Sequence, residues 1–170
     1  MLNISNKAEI REYLKMLRAQ MPVEQVNAVS QQVTRHVLAC DAYRRAKCIM
    51  GYLAFGNEIS VDQILKQALA DGKIVSIPHI VSDTKIVAVP LKNMDSFHIG
   101  RFGIRSVSNP SEYLAPQEQE LILVPGLAFG RDGSRMGMGA GYYDRFLPQA
   151  SNALLMGVAY DAMLQTVLPC

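Results

Sequence analysis

No apolar run in the 170 residues approaches the roughly 18–20 that span a bilayer, and the N-terminus turns polar within a few positions. Both features argue against a membrane-bound or secreted protein. Charge is equally sparse: 17 lysines and arginines face 15 acids, and a formal charge of +2 spreads too thinly for a nucleic-acid surface. An aromatic strand motif of the RNA-recognition kind is also missing. Cys40, Cys48 and Cys170 are odd in number and widely spaced with no C-x-x-C pair. They suggest neither a disulfide framework nor a zinc site, and they fit a reducing cytoplasm. No Gly-Lys-Ser or Gly-Lys-Thr occurs, so a P-loop is excluded. His36, His79 and His98 are scattered, and no spacing pairs them with a serine or cysteine nucleophile. The expectation is one globular domain whose 49% hydrophobic residues supply a real core, without membrane or nucleic-acid partners.

Hydrophobic spacing then gives an order of elements. Ile10, Tyr13, Leu14 and Leu17 recur at helical intervals over residues 6–19, and a second helical pattern runs from Pro22 through Val37. Lys47 to Phe55 reads as a strand, and Ser60-Val61-Asp62-Gln63 has the form of a capping box before a third helix that ends at Asp71-Gly72. Lys73–Ile80 and Lys85–Leu91 predict two strands around a polar turn. Residues 93–120, rich in glycine, proline and polar side chains, predict mostly loop. Leu121 to Phe129 predicts a long strand broken only by Pro125-Gly126, and Tyr142–Leu147 a helix. Leu154–Tyr160 predicts a last strand, and 162–167 a short helical stretch before the close at Leu168-Pro169-Cys170. Alternating strands and helices imply an α/β fold: a three-layer αβα, Rossmann-like arrangement about a mainly parallel sheet.

The most distinctive stretch is Arg135-Met136-Gly137-Met138-Gly139-Ala140-Gly141-Tyr142-Tyr143-Asp144-Arg145. A G-x-G-x-G loop can turn several backbone N–H groups towards an anion, because glycine tolerates positive φ and carries no Cβ. It follows the strongest strand and opens a helix, the place where α/β sheets bind ligands. The dinucleotide fingerprint G-x-G-x-x-G does not match, since it needs the first strand. Asp144 suits either a helix cap or a hard cation beside phosphate oxygens. Arg135 suits either a forked phosphate contact or a solvated turn.

Taken together, Leu123-Val124-Pro125-Gly126-Leu127-Ala128-Phe129, the Gly133 turn and the run RMGMGAGYYDRFL resemble the 5-formyltetrahydrofolate cyclo-ligase (methenyltetrahydrofolate synthetase) family. The likeness extends to Lys7-Ala8-Glu9-Ile10-Arg11 with a further basic group ending in Arg18, to Gly56-Asn57-Glu58-Ile59, and to Gly72-Lys73 before Ser76-Ile77-Pro78. It implies an ATP- and Mg²⁺-dependent closure of 5-formyltetrahydrofolate to 5,10-methenyltetrahydrofolate with release of ADP and phosphate, by a cytoplasmic monomer. It also implies roles by position. Lys7 and Arg11, four residues apart on one helix face, would hold nucleotide phosphates together with Arg135, Met136, Gly137, Met138, Gly139, Ala140, Gly141, Tyr142 and Tyr143. Leu53, Glu58 and Tyr142 would contact the folate, Arg135 and Tyr143 would be catalytic, and Asp144 would bind the metal.

The chain departs from the family pattern at Gly130, where aspartate is common, and at Ser106-Val107, where a Glu-Pro pair is frequent. The family also continues past the Leu168-Pro169 position into a segment that supplies another acidic metal ligand, whereas this sequence stops at Cys170. The resemblance therefore implies a single domain over 1–170 without that segment. A catalytically weak folate- or nucleotide-binding protein is the alternative expectation.

Overall fold

The computed structural model describes residues 6–166 and Leu168; Val167, Pro169 and Cys170 lie outside the described residues. In chain order it runs α1 (Lys7–Ala19), α2 (Val23–Ala39), α3 (Asp41–Arg45), β1 (Cys48–Met50), α4 (Asp62–Ala70), β2 (Ile74–Ile80), β3 (Ile86–Leu91), β4 (His98–Ile99) and β5 (Arg105–Ser106). Then come β6 (Leu121–Pro125), β7 (Ala128–Gly130), β8 (Arg135–Met136), α5 (Tyr142–Phe146), β9 (Leu154–Val158) and β10 (Leu164–Gln165). Five strands form the central sheet in the order β3-β2-β1-β6-β9, all parallel except for the β2–β3 hairpin.

Period-two alternation sends successive side chains of these strands to opposite faces. Ile49, Leu121 and Leu123 join Val75 and Ile77 in a large core under α1–α4, which contribute Leu14, Val37, Tyr43, Ile64, Leu65 and Ala68. Met50, Ile122 and Val124 turn the other way and pack with Ile86, Ala88 and Phe146 of α5. Both faces of β6 are covered, which is why its sequence is a continuous apolar run instead of an alternating one. The expected three-layer architecture is the observed one.

Three local expectations change, and one short helix is new. The Leu121–Phe129 run is two strands, because Pro125-Gly126 turns the chain out of the central sheet, and β7 joins β8 and β10 in a separate small sheet. Gly126 is needed there for space: a Cβ would fall 2.8 Å from the Phe129 ring. The capping box does not form. Helix α4 begins after Val61 with no side-chain cap, while the Ser60 amide donates to Ser30 Oγ of α2 and Asp62 pairs with Arg105. Helix α3 was hidden by its five-residue length. The expected C-terminal helix is a 3₁₀ turn over Asp161–Met163 followed by β10, held by parallel pairing to β7.

Candidate active site

Strand β1 feeds α4 and β2 on one side and abuts β6 on the other, so the loops leaving the carboxyl ends of β1 and β6 diverge. Such a divergence opens a crevice where α/β sheets take ligands. Here it holds a cavity of about 440 Å³, bounded by the loop after β1, the Pro125-Gly126 turn, the glycine loop and the first turns of α1.

At one end lies the glycine loop. Gly139 and Gly141, which line the cavity, adopt φ of +114° and +71°, conformations that ordinary side chains rarely take. Helix α1 supplies the cations: Lys7 and Arg11 line the cavity, and Arg11 Nε donates to the Gly137 carbonyl at 3.1 Å. Helix α5 spans five residues, so its dipole adds little, and the positive charge here comes from Lys7, Arg11 and Arg135.

Arg135 enters from β8. Its Nε donates to the Pro125 carbonyl at 2.8 Å, its Nη1 to Asp144 Oδ1 at 3.2 Å, and its guanidinium carbon sits 5.1 Å from the centre of the Tyr143 ring. The side chain is 16% exposed; burial works against its charge, while Asp144, Tyr143 and Glu58 favour it. The solvated-turn reading of Arg135 is thus overturned. Tyr143 Oη is buried without a partner, and burial raises its pKa, so it keeps its proton at neutral pH. Asp144 does not cap α5; its carboxylate is 73% exposed, on the cavity wall beside Arg135. Among the described residues no group of three or more histidines, cysteines and carboxylates could hold a metal. A lone exposed carboxylate fits Mg²⁺ bound mostly by water and phosphate oxygens, not an all-protein cage.

At the other end is Glu58. Its Oε2 accepts from the Phe55 amide at 2.9 Å, and Oε1 lies 3.6 Å from Arg18 Nη1 of α1. Burial raises its pKa above the ordinary glutamate value, against the Phe55 hydrogen bond and the charges of Arg18 and Arg135. Leu53, buried, lines the same region.

Every candidate named from sequence lines this cavity except Met136, whose side chain points into the main core and is 1% exposed. Sequence reasoning missed Tyr52, Phe55, Phe102, Ile104 and Arg105, which also line it. Phe55 had a signal, standing directly before Gly56-Asn57-Glu58. Phe102 had none, since its φ of +59° is a property of the folded turn.

Comparison with known proteins concerns the chain as a whole. The family model for 5-formyltetrahydrofolate cyclo-ligases matches residues 3–170. The 5-formyltetrahydrofolate cyclo-ligase of Haemophilus influenzae is 30% identical over 99% of this chain and 92% of its own length. That of Mus musculus is 29% identical over 83% of this chain and 71% of its own. The NMR structure of Aquifex aeolicus 5,10-methenyltetrahydrofolate synthetase superposes with a TM-score of 0.84 at 26% identity, covering 96% of this chain and 82% of that one. A 5,10-methenyltetrahydrofolate synthetase from Mycoplasma pneumoniae shares the fold, with a TM-score of 0.77. The chain belongs to the 5-formyltetrahydrofolate cyclo-ligase family.

Proposed function

We propose that this protein catalyses the ATP-dependent closure of 5-formyltetrahydrofolate to 5,10-methenyltetrahydrofolate, releasing ADP and phosphate. The observation that carries the reading is one continuous cavity with an anion cradle at one end, Gly137–Gly141 with Lys7, Arg11 and Arg135, and a buried carboxylate against apolar walls at the other. That layout suits a polyphosphate and a flat heterocycle with a hydrogen-bonding edge, held in contact.

The reaction moves a phosphoryl group from ATP to the formyl oxygen on N5; N10 then closes on the activated carbon, and phosphate leaves. Phosphoryl transfer asks a protein for position and charge neutralisation, and no side-chain nucleophile is needed. Lys7, Arg11 and the loop N–H groups hold the nucleotide phosphates. Arg135, its fork already oriented by Pro125 and Asp144, stabilises charge on the transferring group. Tyr143 keeps its Oη proton and donates it in a hydrogen bond to an oxygen in the cavity. Glu58 accepts from the pterin amino and ring N–H groups, and Leu53 and Tyr142 supply flat apolar contact. Asp144 would hold Mg²⁺, which would supply neutralisation of phosphate charge.

We take the protein to be a monomer with one domain over 1–170. Free Cys40 and Cys48 and the absence among the described residues of a helix able to cross a membrane support a cytoplasmic location. Incubation with ATP, Mg²⁺ and 5-formyltetrahydrofolate should release ADP and phosphate in amounts equal to the folate consumed. ADP release that ignores the folate would sink the proposal.

A further inference from the structure

Arg18 is a cation that the reaction above does not use, and it is the buried one. It sits in the last turn of α1, 7% exposed, about two turns beyond Arg11 on the same helix face. Its guanidinium makes two contacts, one in each half of the cavity: Nη1 lies 3.6 Å from Glu58 Oε1, and Nη2 donates to Met138 Sδ of the glycine loop at 3.3 Å. The end of α1 that carries it is clamped to the Glu58 loop. Asn57 Nδ2 donates to the carbonyls of Arg18, Ala19 and Met21, and Tyr160 Oη donates to the Asn57 carbonyl at 2.7 Å. Arg18 also lines a small second hollow together with Tyr52, Glu58 and Tyr160, so its guanidinium lies between the Glu58 loop and the glycine loop.

We propose that Arg18 is a positioning residue that joins the two half-sites, setting the Glu58 carboxylate for the folate while bearing on Met138 of the nucleotide loop, so that each ligand alters the affinity for the other. The inference rests on the functional reading above. Binding of phosphate in the loop moves or stiffens Met138, and the same side chain that touches it holds Glu58. Coupling between the sites therefore passes through one guanidinium, which reaches both at once because its fork is planar and rigid.

Glu58 is faced by Arg18 from α1, Arg135 from β8, Tyr143 from α5, Tyr160 beyond β9 and Tyr52 beyond β1; the two arginines favour its ionised form. Removing Arg18 thus makes Glu58 harder to ionise, a change that a purely structural role would not produce.

The test compares wild type, Arg18→Met, Arg18→Lys, Glu58→Gln and the Arg18→Met/Glu58→Gln double variant. Folate KM and kcat are measured across pH at saturating ATP, and folate binding is titrated calorimetrically with and without a non-hydrolysable ATP analogue. Arg18→Met should raise folate KM about tenfold, with kcat within about threefold of wild type. It should also move the acid limb of kcat/KM to higher pH. The double variant should have the folate KM of Glu58→Gln alone, because Arg18 acts through Glu58. Arg18→Lys keeps the charge and should restore the limb, yet lose the tightening of folate by the ATP analogue, because a single ammonium cannot reach both partners. An unchanged KM and limb in Arg18→Met, or KM losses that multiply in the double variant, would overturn the proposal. If Arg18→Met does not fold, undiminished nucleotide–folate coupling in Arg18→Lys overturns it. Wild type that binds both ligands but forms no product contradicts the functional reading instead, and the titrations still decide the role of Arg18.

Discussion

Arg135 and Glu58 place opposite charges in one cavity, close enough to favour each other's ionised form, and each is held by contacts that fix its direction. Arg135 is oriented through its Nε on the Pro125 carbonyl, which leaves part of the fork for an incoming oxyanion. Arg135→Lys keeps a positive charge and loses that anchor. Steady-state kinetics should show kcat falling by about a hundredfold, the size seen when one oriented donor to a developing oxyanion is removed, with little change in melting temperature. A parallel collapse in stability would make Arg135 a packing residue. For Glu58 the sign follows from burial. Its folded-state pKa is raised, so as pH falls from neutral the carboxylate takes up a proton sooner than an exposed glutamate does and loses its capacity as a paired acceptor. Folate KM should therefore rise on the acid side earlier than an exposed glutamate would allow, and Glu58→Gln should flatten the dependence. A profile with its inflection at the pKa of an exposed glutamate would contradict the burial argument. Both residues were visible in the sequence only through the motifs around them; nothing about either position revealed its contacts, because partners such as Pro125, Phe55 and Arg18 are fixed by the folded loops.

At the scale of elements, legibility followed local chemistry. The helical spacing before and after Pro22, the β2–β3 hairpin and the Tyr142 helix were readable because each is written in one continuous pattern. The failures were contests decided by tertiary partners. Ser60 had a capping sequence, but Ser30 of α2 bonds its amide and Arg105 takes Asp62. The β6–β7 run is apolar on both sides of Pro125-Gly126, and only the pairing of β7 with β8 and β10 shows that this dipeptide ends one strand and leaves room for the Phe129 ring. The same ring makes a test of element against site: a Cβ on Gly157 of β9 would fall 2.6 Å from it. Gly157→Ala should cost about 1–3 kcal/mol in denaturant unfolding while leaving both KM values near wild type, since β9 does not line the main cavity. Gly139→Ala should do the reverse. The space beside it is ordinary contact with Arg11 at 3.7 Å, but its φ of +114° is closed to alanine, so the loop must change shape. ATP KM should increase several-fold with a small loss of melting temperature.

For the whole molecule, the sheet with two covered faces is what holds the crevice open, and its stability should depend on pH at a distance from the site. Tyr43 Oη donates to Asp71 Oδ2 at 2.5 Å, tying α3 to the end of α4. That bond, with one from Gln67, holds the Asp71 carboxyl below its ordinary value. A depressed carboxyl contributes stability above its unfolded-state pKa and loses it as pH falls through the folded one. Thermal melts of Tyr43→Phe should therefore show a lower melting temperature than wild type at neutral pH and a narrowing gap in acid; a gap that widens in acid would contradict the assignment. The fold class was legible in the order of elements, whereas the joining of α1 to the glycine loop, 126 residues apart at Arg11 and Gly137, could be read only from the folded chain. That joining puts the glycine loop and the Glu58 region in one cavity, and the direct test of the proposed reaction is the ultraviolet absorbance of 5,10-methenyltetrahydrofolate. Purified protein with 5-formyltetrahydrofolate and Mg²⁺ should give no signal until ATP is added, and then a rise that continues through many turnovers. A flat trace from folded protein that binds both ligands would contradict the account.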